Sequence, residues 1–169
     1  QYARTLFEKR KRKGMSYEEA LELMTRDNFF GISMVEAGEA DGFISGCTSK
    51  YADVVHPALQ IVGYNNSLNH IAGMYIVMTK RGPFFFADST VNIQPTGRML
   101  ANTTLLVANE VRKFGLEPRI ALVSYSNFGW VREGSPKRVQ EAVEILHHDY
   151  PDLVADGEMQ ADFALNKHL

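Results

Sequence analysis

Cysteine is nearly absent: Cys47 stands alone in 169 residues, which excludes an internal disulfide and fits a reducing compartment. No apolar run approaches the roughly 20 residues of a membrane-spanning helix, and no signal-peptide pattern is present. Neither sign of charge dominates, since 18 Lys and Arg stand against 20 Asp and Glu for a formal net charge of -2. The one basic run, residues 9–13, is followed at once by Glu18 and Glu19, so a nucleic-acid partner is not expected. GxxxxGK and GxGxxG are both missing, which removes the common nucleotide-binding loops. Internal repeats, low-complexity tracts and linkers are missing as well. With 45% hydrophobic and 22% charged residues, the expectation is a cytoplasmic globular domain with a real core.

The most informative stretch is residues 118–130, PRIALVSYSNFGW. Ile120, Ala121, Leu122 and Val123 form an apolar, partly β-branched run too short for a helix, and it passes directly into small polar residues and a glycine. A helical pattern resumes at Ser135-Pro136. The order is strand, polar loop, helix, and in open α/β sheets ligands sit at the carboxyl ends of the strands. Ser124, Ser126 and Asn127 are therefore candidate ligand-facing residues, or else loop residues satisfying their own backbone.

In chain order, residues 1–13 predict a helix with cations at its C-terminus, as the dipole favours, stopped at Gly14. The cations are either a solvated face or reach an anion such as phosphate. Ser16 and Glu19 form a capping box before a helix with Tyr17, Leu21 and Met24 as its stripe. Helical spacing from Phe29 to Ala37 is followed by a short strand, Phe43-Ile44, and by the small-residue loop Ser45-Gly46-Cys47-Thr48-Ser49, a plausible anion cradle. Asp53 is placed as the cap of the next helix, with Pro57 in its first turn and His56 near its start, as spacer or as catalyst. After a turn at Asn65-Asn66-Ser67, Met74 to Met78 and Phe84 to Ala87 read as a hairpin ending in Asp88-Ser89-Thr90. A long helix after Pro95 carries Leu100, Val107, Val111 and Phe114 on one face. The helix at Ser135-Pro136 carries Val139, Ala142, Val143 and Leu146. Near the end, Asp156, Glu158 and Asp162 lie within seven residues, as acid/base groups or metal ligands, or as caps. A further helix is under way at the last residues, through Lys167, His168 and Leu169. The alternation predicts an α/β fold with a largely parallel sheet and one antiparallel insertion.

The strings RKRKGMSYEEAL, GEADGFISG, TSKYADVVHPALQIVG, FFFADSTVN, EPRIALVSYSNFG and DGEMQADFAL, in this order and spacing, resemble the phosphate acetyl/butyryl transferase family over essentially the whole chain. Within it, SNFG at 126–129 and DGEM at 156–159 look more like the transferase-type domain at the C-terminus of bacterial malic enzymes, while Gln160 keeps a feature of the free-standing enzymes. The resemblance implies a phosphotransacetylase-like domain of isocitrate/isopropylmalate dehydrogenase type, mostly parallel and flanked by helices, of which residues 1–169 are a piece truncated at both ends.

It further implies a cleft for acetyl-CoA or CoA, without a metal. Arg10 matches a phosphate-site arginine of the family. Ser45, Gly46, Thr48, Ser49 and Asp53 match the cleft loop, and Ser124, Ser126, Asn127, Asp156 and Glu158 match polar groups around it. His56 departs from the pattern, because catalytic members resemble an arginine before Pro-Ala. An imidazole cannot make the bidentate clamp on phosphate that a guanidinium makes. The family's groups that act on the thiol belong to a later segment, so no catalytic residue is assigned here.

The leading expectation is an acetyl-CoA-sensing regulatory and oligomerisation domain, a homo-oligomer joined to upstream malic enzyme domains that use NADP or NAD and Mg or Mn. The alternatives are a phosphate acetyltransferase making acetyl-CoA from acetyl phosphate and CoA, and a purely structural assembly domain.

Overall fold

The computed structural model describes residues 1–64, 68, 70–88 and 92–166. The expected turn at Asn65-Asn66-Ser67, the polar Ser89-Thr90 and the terminal Lys167-His168-Leu169 lie outside these. The chain divides into two units, Gln1–Asn69 and His70–Leu169.

The first unit is helical. Helix α1 (Tyr2–Arg10) runs through a 3-10 turn, Lys11–Lys13, into Gly14, whose φ of 92° reverses the chain. Helix α2 (Tyr17–Leu23) is capped as expected by Ser16, whose hydroxyl accepts the Glu19 N–H at 3.0 Å. Its buried residue is Ala20 rather than Tyr17 or Leu21, both of which are exposed. Helices α3 (Asp27–Glu36) and α4 (Tyr51–Ile61) complete the unit. Ala3, Leu6, Ala20, Phe29, Ile32 and Ile61 form its core.

Phe43-Ile44 is not a strand. Phe43 packs its ring against α3 at Gly31, where an added Cβ would lie 2.2 Å from the ring, and Ile44 projects into solvent. Of the two, Phe43 alone anchors the loop. Asp53 does not cap α4 either: Lys50 is the N-cap and Asp53 lies in the first turn, which moves Pro57 from the first turn to the seventh residue of the helix.

The second unit holds two small sheets among the described residues. The expected hairpin is present, with β1 (Met74–Thr79) and β2 (Gly82–Ala87) antiparallel. Helix α5 (Gly97–Lys113) starts at Thr96, whose hydroxyl caps the Met99 N–H at 3.2 Å. Strand β3 (Ile120–Val123), helix α6 (Gly134–Asp149), strand β4 (Ala155–Met159) and the short helix α7 (Ala161–Leu165) follow. Strands β3 and β4 pair in parallel across the α6 crossover, with a register shift between Leu122 and Val123. The parallel sheet expected from the sequence is thus present here as one pair. Helix α6 begins at Gly134 with Glu133 before it, so Ser135, which the sequence suggests as the cap, and Pro136, which it suggests as the first helical residue, are the second and third residues of the helix.

The core of this unit is the α5–α6 contact laid on β3 and β4. Val139, Ala142, Val143 and Leu146 are all buried, as their spacing predicts, together with Ala101, Ala108, Leu122, Leu153 and Ala155.

Candidate functional site

The predicted residues fall into two groups, one in each unit. In the first unit, two adjoining depressions share Arg26, Asn28 and Ser49. One, of about 560 Å³, is lined also by Asp53, His56, Pro57 and Gln60. The other, of about 410 Å³, is lined by Ser45, Gly46 and Thr48. The loop and the helix that the sequence pointed to therefore meet at one groove.

The residue that joins them is Asn28, which sequence reasoning missed. Pro57 has no N–H, so the carbonyl of Asp53 loses its helical partner four residues on. Asn28 Nδ2 donates to that carbonyl at 3.0 Å, and its Oδ1 accepts from Ser45 Oγ at 2.7 Å. One amide side chain thus mends α4 and moors the loop. Arg26 was missed too. It supplies a guanidinium to both depressions at the start of α3, where backbone N–H groups lack helical partners. Its ion pair with Glu22, at 3.9 Å, is exposed and loose. The sequence signal was the polar junction Thr25-Arg26-Asp27-Asn28 between two helices. Chemically the groove offers a guanidinium, an imidazole and hydroxyls that can donate to an anionic group, with Glu19, Asp27 and Asp53 as carboxylates in the same lining.

Arg10 is not among the groove's lining residues. It ends α1 half-buried, with its Nε out of solvent and without a hydrogen-bond partner among the described residues. Its neighbour Lys9 pairs with Glu36 and donates to the Ile61 carbonyl at the end of α4, at 2.6 Å.

In the second unit, the loop after β3 is bound to the end of β4. Ser124 N–H donates to the Met159 carbonyl at 2.9 Å, and Ser124 Oγ accepts from the Ser126 N–H at 3.2 Å. Asn127 Oδ1 accepts the Gln160 N–H at 2.7 Å, and Gln160 Nε2 donates to the Tyr125 carbonyl at 2.8 Å. Glu158 is fully buried; its Oε1 receives Ser126 Oγ at 3.0 Å and the Gly129 N–H at 2.8 Å. Asp156 is exposed and accepts the Gly157 N–H at 2.8 Å. Ser126 and Glu158 Oε1 thus brace the loop from within, and Asn127 ties it to Gln160. What the loop presents outward is Tyr125, Phe128 and Trp130. Among the described residues no group of three or more His, Cys, Asp or Glu is placed to hold a metal ion.

The first unit carries a polar groove walled by a small-residue loop and a proline-containing helix, and the second a βαβ unit with a braced loop at its strand ends, the make-up of an α/β domain with a ligand-sized groove. The chain belongs to the phosphate acetyl/butaryl transferase family, whose pattern matches residues 1–169. It is 36% identical over 155 residues to the phosphate acetyltransferase of Bacillus subtilis (strain 168), covering 91% of this chain and 48% of that protein. It is equally 36% identical, over 166 residues, to the NADP-dependent malic enzyme of Escherichia coli (strain K12), covering 98% of this chain and 22% of that protein. The crystal structure of a phosphotransacetylase from Streptococcus pyogenes superposes with a TM-score of 0.84 at 32% identity, covering 99% of this chain and 52% of that one. The chain therefore spans about half of these transferases and a smaller part of the malic enzyme. No helix among the described residues is long and apolar enough to cross a membrane.

Proposed function

We propose that this chain is the acetyl-CoA-sensing regulatory and oligomerisation domain of a malic enzyme. In this reading the upstream domains of the same polypeptide convert malate to pyruvate with NADP or NAD and Mg or Mn, and this domain contributes an acyl-CoA cleft and a homo-oligomeric, cytoplasmic assembly. It is a piece of one phosphotransacetylase-like domain whose complete sheet is mostly parallel, of isocitrate/isopropylmalate dehydrogenase type.

The observation that carries the reading is His56 on the groove wall, next to Pro57 and beside Asp53 and Ser49. Catalytic members resemble an arginine at that place, and an imidazole offers an anion fewer donors and no bidentate fork. A groove that keeps its loop and its serines but exchanges that cation fits binding better than acyl transfer from acetyl phosphate. Similarity to a malic enzyme over 98% of the chain supports the same conclusion.

The second reading is a phosphate acetyltransferase, in which CoA thiolate attacks acetyl phosphate to give acetyl-CoA and phosphate. The equal identity to the Bacillus subtilis enzyme and the superposition on the Streptococcus pyogenes structure favour it.

The test is malate-dependent reduction of NADP and of NAD by the polypeptide carrying this chain, at rising acetyl-CoA. Activity that falls with acetyl-CoA, and a response lost in Arg26→Ala, is the expected result. Absence of malate oxidation together with acetyl-CoA formation from acetyl phosphate would replace the sensing reading by the transferase. Absence of both activities and of any heat on titration with acetyl-CoA would leave the assembly role alone.

A further inference from the structure

We infer that Glu158 is a positioning residue, whose buried carboxylate holds the loop 124–131 in the conformation that presents Tyr125, Phe128 and Trp130 at the carboxyl end of β3. The value of that loop for ligand binding rests on the acyl-CoA reading above; the brace itself does not.

Three bonds converge on this one residue. Ser126 Oγ and the Gly129 N–H both donate to Oε1, at 3.0 and 2.8 Å, and the Phe128 N–H donates to the Glu158 carbonyl at 2.9 Å. Ser126 in turn accepts the Val131 N–H at 3.2 Å, so its hydroxyl relays the hold to the far end of the loop. Glu158 has no exposed surface and Ser126 keeps only 3%, so neither meets a ligand directly.

Two features show that the loop needs this hold. Phe128 has a φ of 44° and Gly129 a φ of 88°, two successive left-handed residues of which one is aromatic. A bulky side chain avoids that region unless its surroundings impose it. In addition, Glu158 Oε2 is buried without a hydrogen-bond partner among the described residues. A half-satisfied buried carboxylate is poor value for stability alone, whereas its Oε1 sits where two loop donors must be gathered.

Trp130 is the single tryptophan of the chain and is 85% exposed, so its fluorescence reports the loop directly. Time-resolved anisotropy on the polypeptide carrying this chain, with any tryptophan outside residues 1–169 replaced by phenylalanine, is compared for wild type, Glu158→Ala, Glu158→Gln and Ser126→Ala, with far-UV circular dichroism to check the fold. The expected result is a larger fast component, meaning freer local motion of Trp130, in Glu158→Ala, and a smaller change in the same direction in Ser126→Ala. Glu158→Gln keeps an acceptor at Oε1 and restores the wild-type signal. Acetyl-CoA affinity, read by calorimetry, falls about 10- to 100-fold in Glu158→Ala, as misplacement of a binding surface does, and recovers in Glu158→Gln.

Unchanged anisotropy in Glu158→Ala, or a Glu158→Gln signal matching that of the alanine variant, would overturn the inference. Should Glu158→Ala not fold, Ser126→Ala and Glu158→Gln decide by the same criterion. Should wild type not bind acetyl-CoA at all, the acyl-CoA reading fails, while the Trp130 signal still decides the brace.

Discussion

Asn28 donates to the Asp53 carbonyl at 3.0 Å, and that carbonyl is the one left without a helical partner by Pro57. A proline inside a helix ordinarily costs about 3 kcal/mol, because it removes a hydrogen bond and crowds the preceding turn. Here a side chain from another helix supplies the missing donor, and it does so at the groove that carries Ser45, Ser49 and His56.

A double-mutant cycle tests this relationship. Asn28→Ala leaves the Asp53 carbonyl to solvent and frees Ser45, for an expected loss of about 1–2 kcal/mol by urea denaturation. In Pro57→Ala the new N–H reaches the same carbonyl, so Asn28→Ala becomes cheaper in that background. A coupling energy of about 0.5 kcal/mol or more is expected; strict additivity would show that Asn28 and Pro57 act separately.

The α6 stripe gives a second prediction. Leu146 keeps 1% of its surface exposed within the α5–α6 core. Leu146→Ala should lose about 2–5 kcal/mol, the sum of lost burial and the cavity left behind. A loss below about 1 kcal/mol would mean that the core collapses into the space.

Asp149 provides a pH dependence. Its hydrogen bond with His148, and then that with Arg98 at 3.1 Å, hold its carboxyl below the ordinary 3.8. A depressed folded value means that the contribution is fully present above about pH 3.8 and is lost as pH falls through the lower, folded value. An NMR titration should place Asp149 below that reference, and Arg98→Ala should move it upward. No movement in the variant would assign the shift to His148 alone.

What could be read from residues alone divides by the kind of contact. The α6 stripe was legible because Val139, Val143 and Leu146 are large, apolar and regularly spaced. On α5 the same reading chose Leu100, Val107, Val111 and Phe114; Val111 is buried and Leu100 packs against the core, but Phe114 is exposed and the other buried residues are Gly97, Ala101, Thr103, Thr104 and Ala108. Helix α2 repeats the lesson, since Ala20 is buried and Tyr17 and Leu21 are exposed. Hydrophobicity follows the big side chains, but the closest helix approach falls on the small ones, which carry little apolar signal. The family blocks located the groove loop and the β4 acids. They could not separate a ligand-facing residue from a brace, because Asn28 and Glu158 find their partners 17 to 32 residues away.

Gly97 turns that lesson into a prediction. A Cβ built there would lie 2.6 Å from Glu141 Cβ and 3.0 Å from the Arg138 carbonyl, so α5 can approach α6 this closely only without a side chain. Alanine favours a helix interior over glycine by about 1 kcal/mol, but Gly97 is the first helical residue, where that gain is smaller. Overpacking of a close contact costs about 1–3 kcal/mol, and the obstructing atoms are a Cβ and a backbone oxygen, neither of which can swing aside. Gly97→Ala is therefore expected to be destabilising on balance. Glu141→Gly would clear the nearer obstruction, so the double variant Gly97→Ala with Glu141→Gly should lose less than the two single losses combined. Thermal denaturation of all four proteins reads both effects, and a Gly97→Ala variant as stable as wild type would show that the two helices can separate to admit the methyl group.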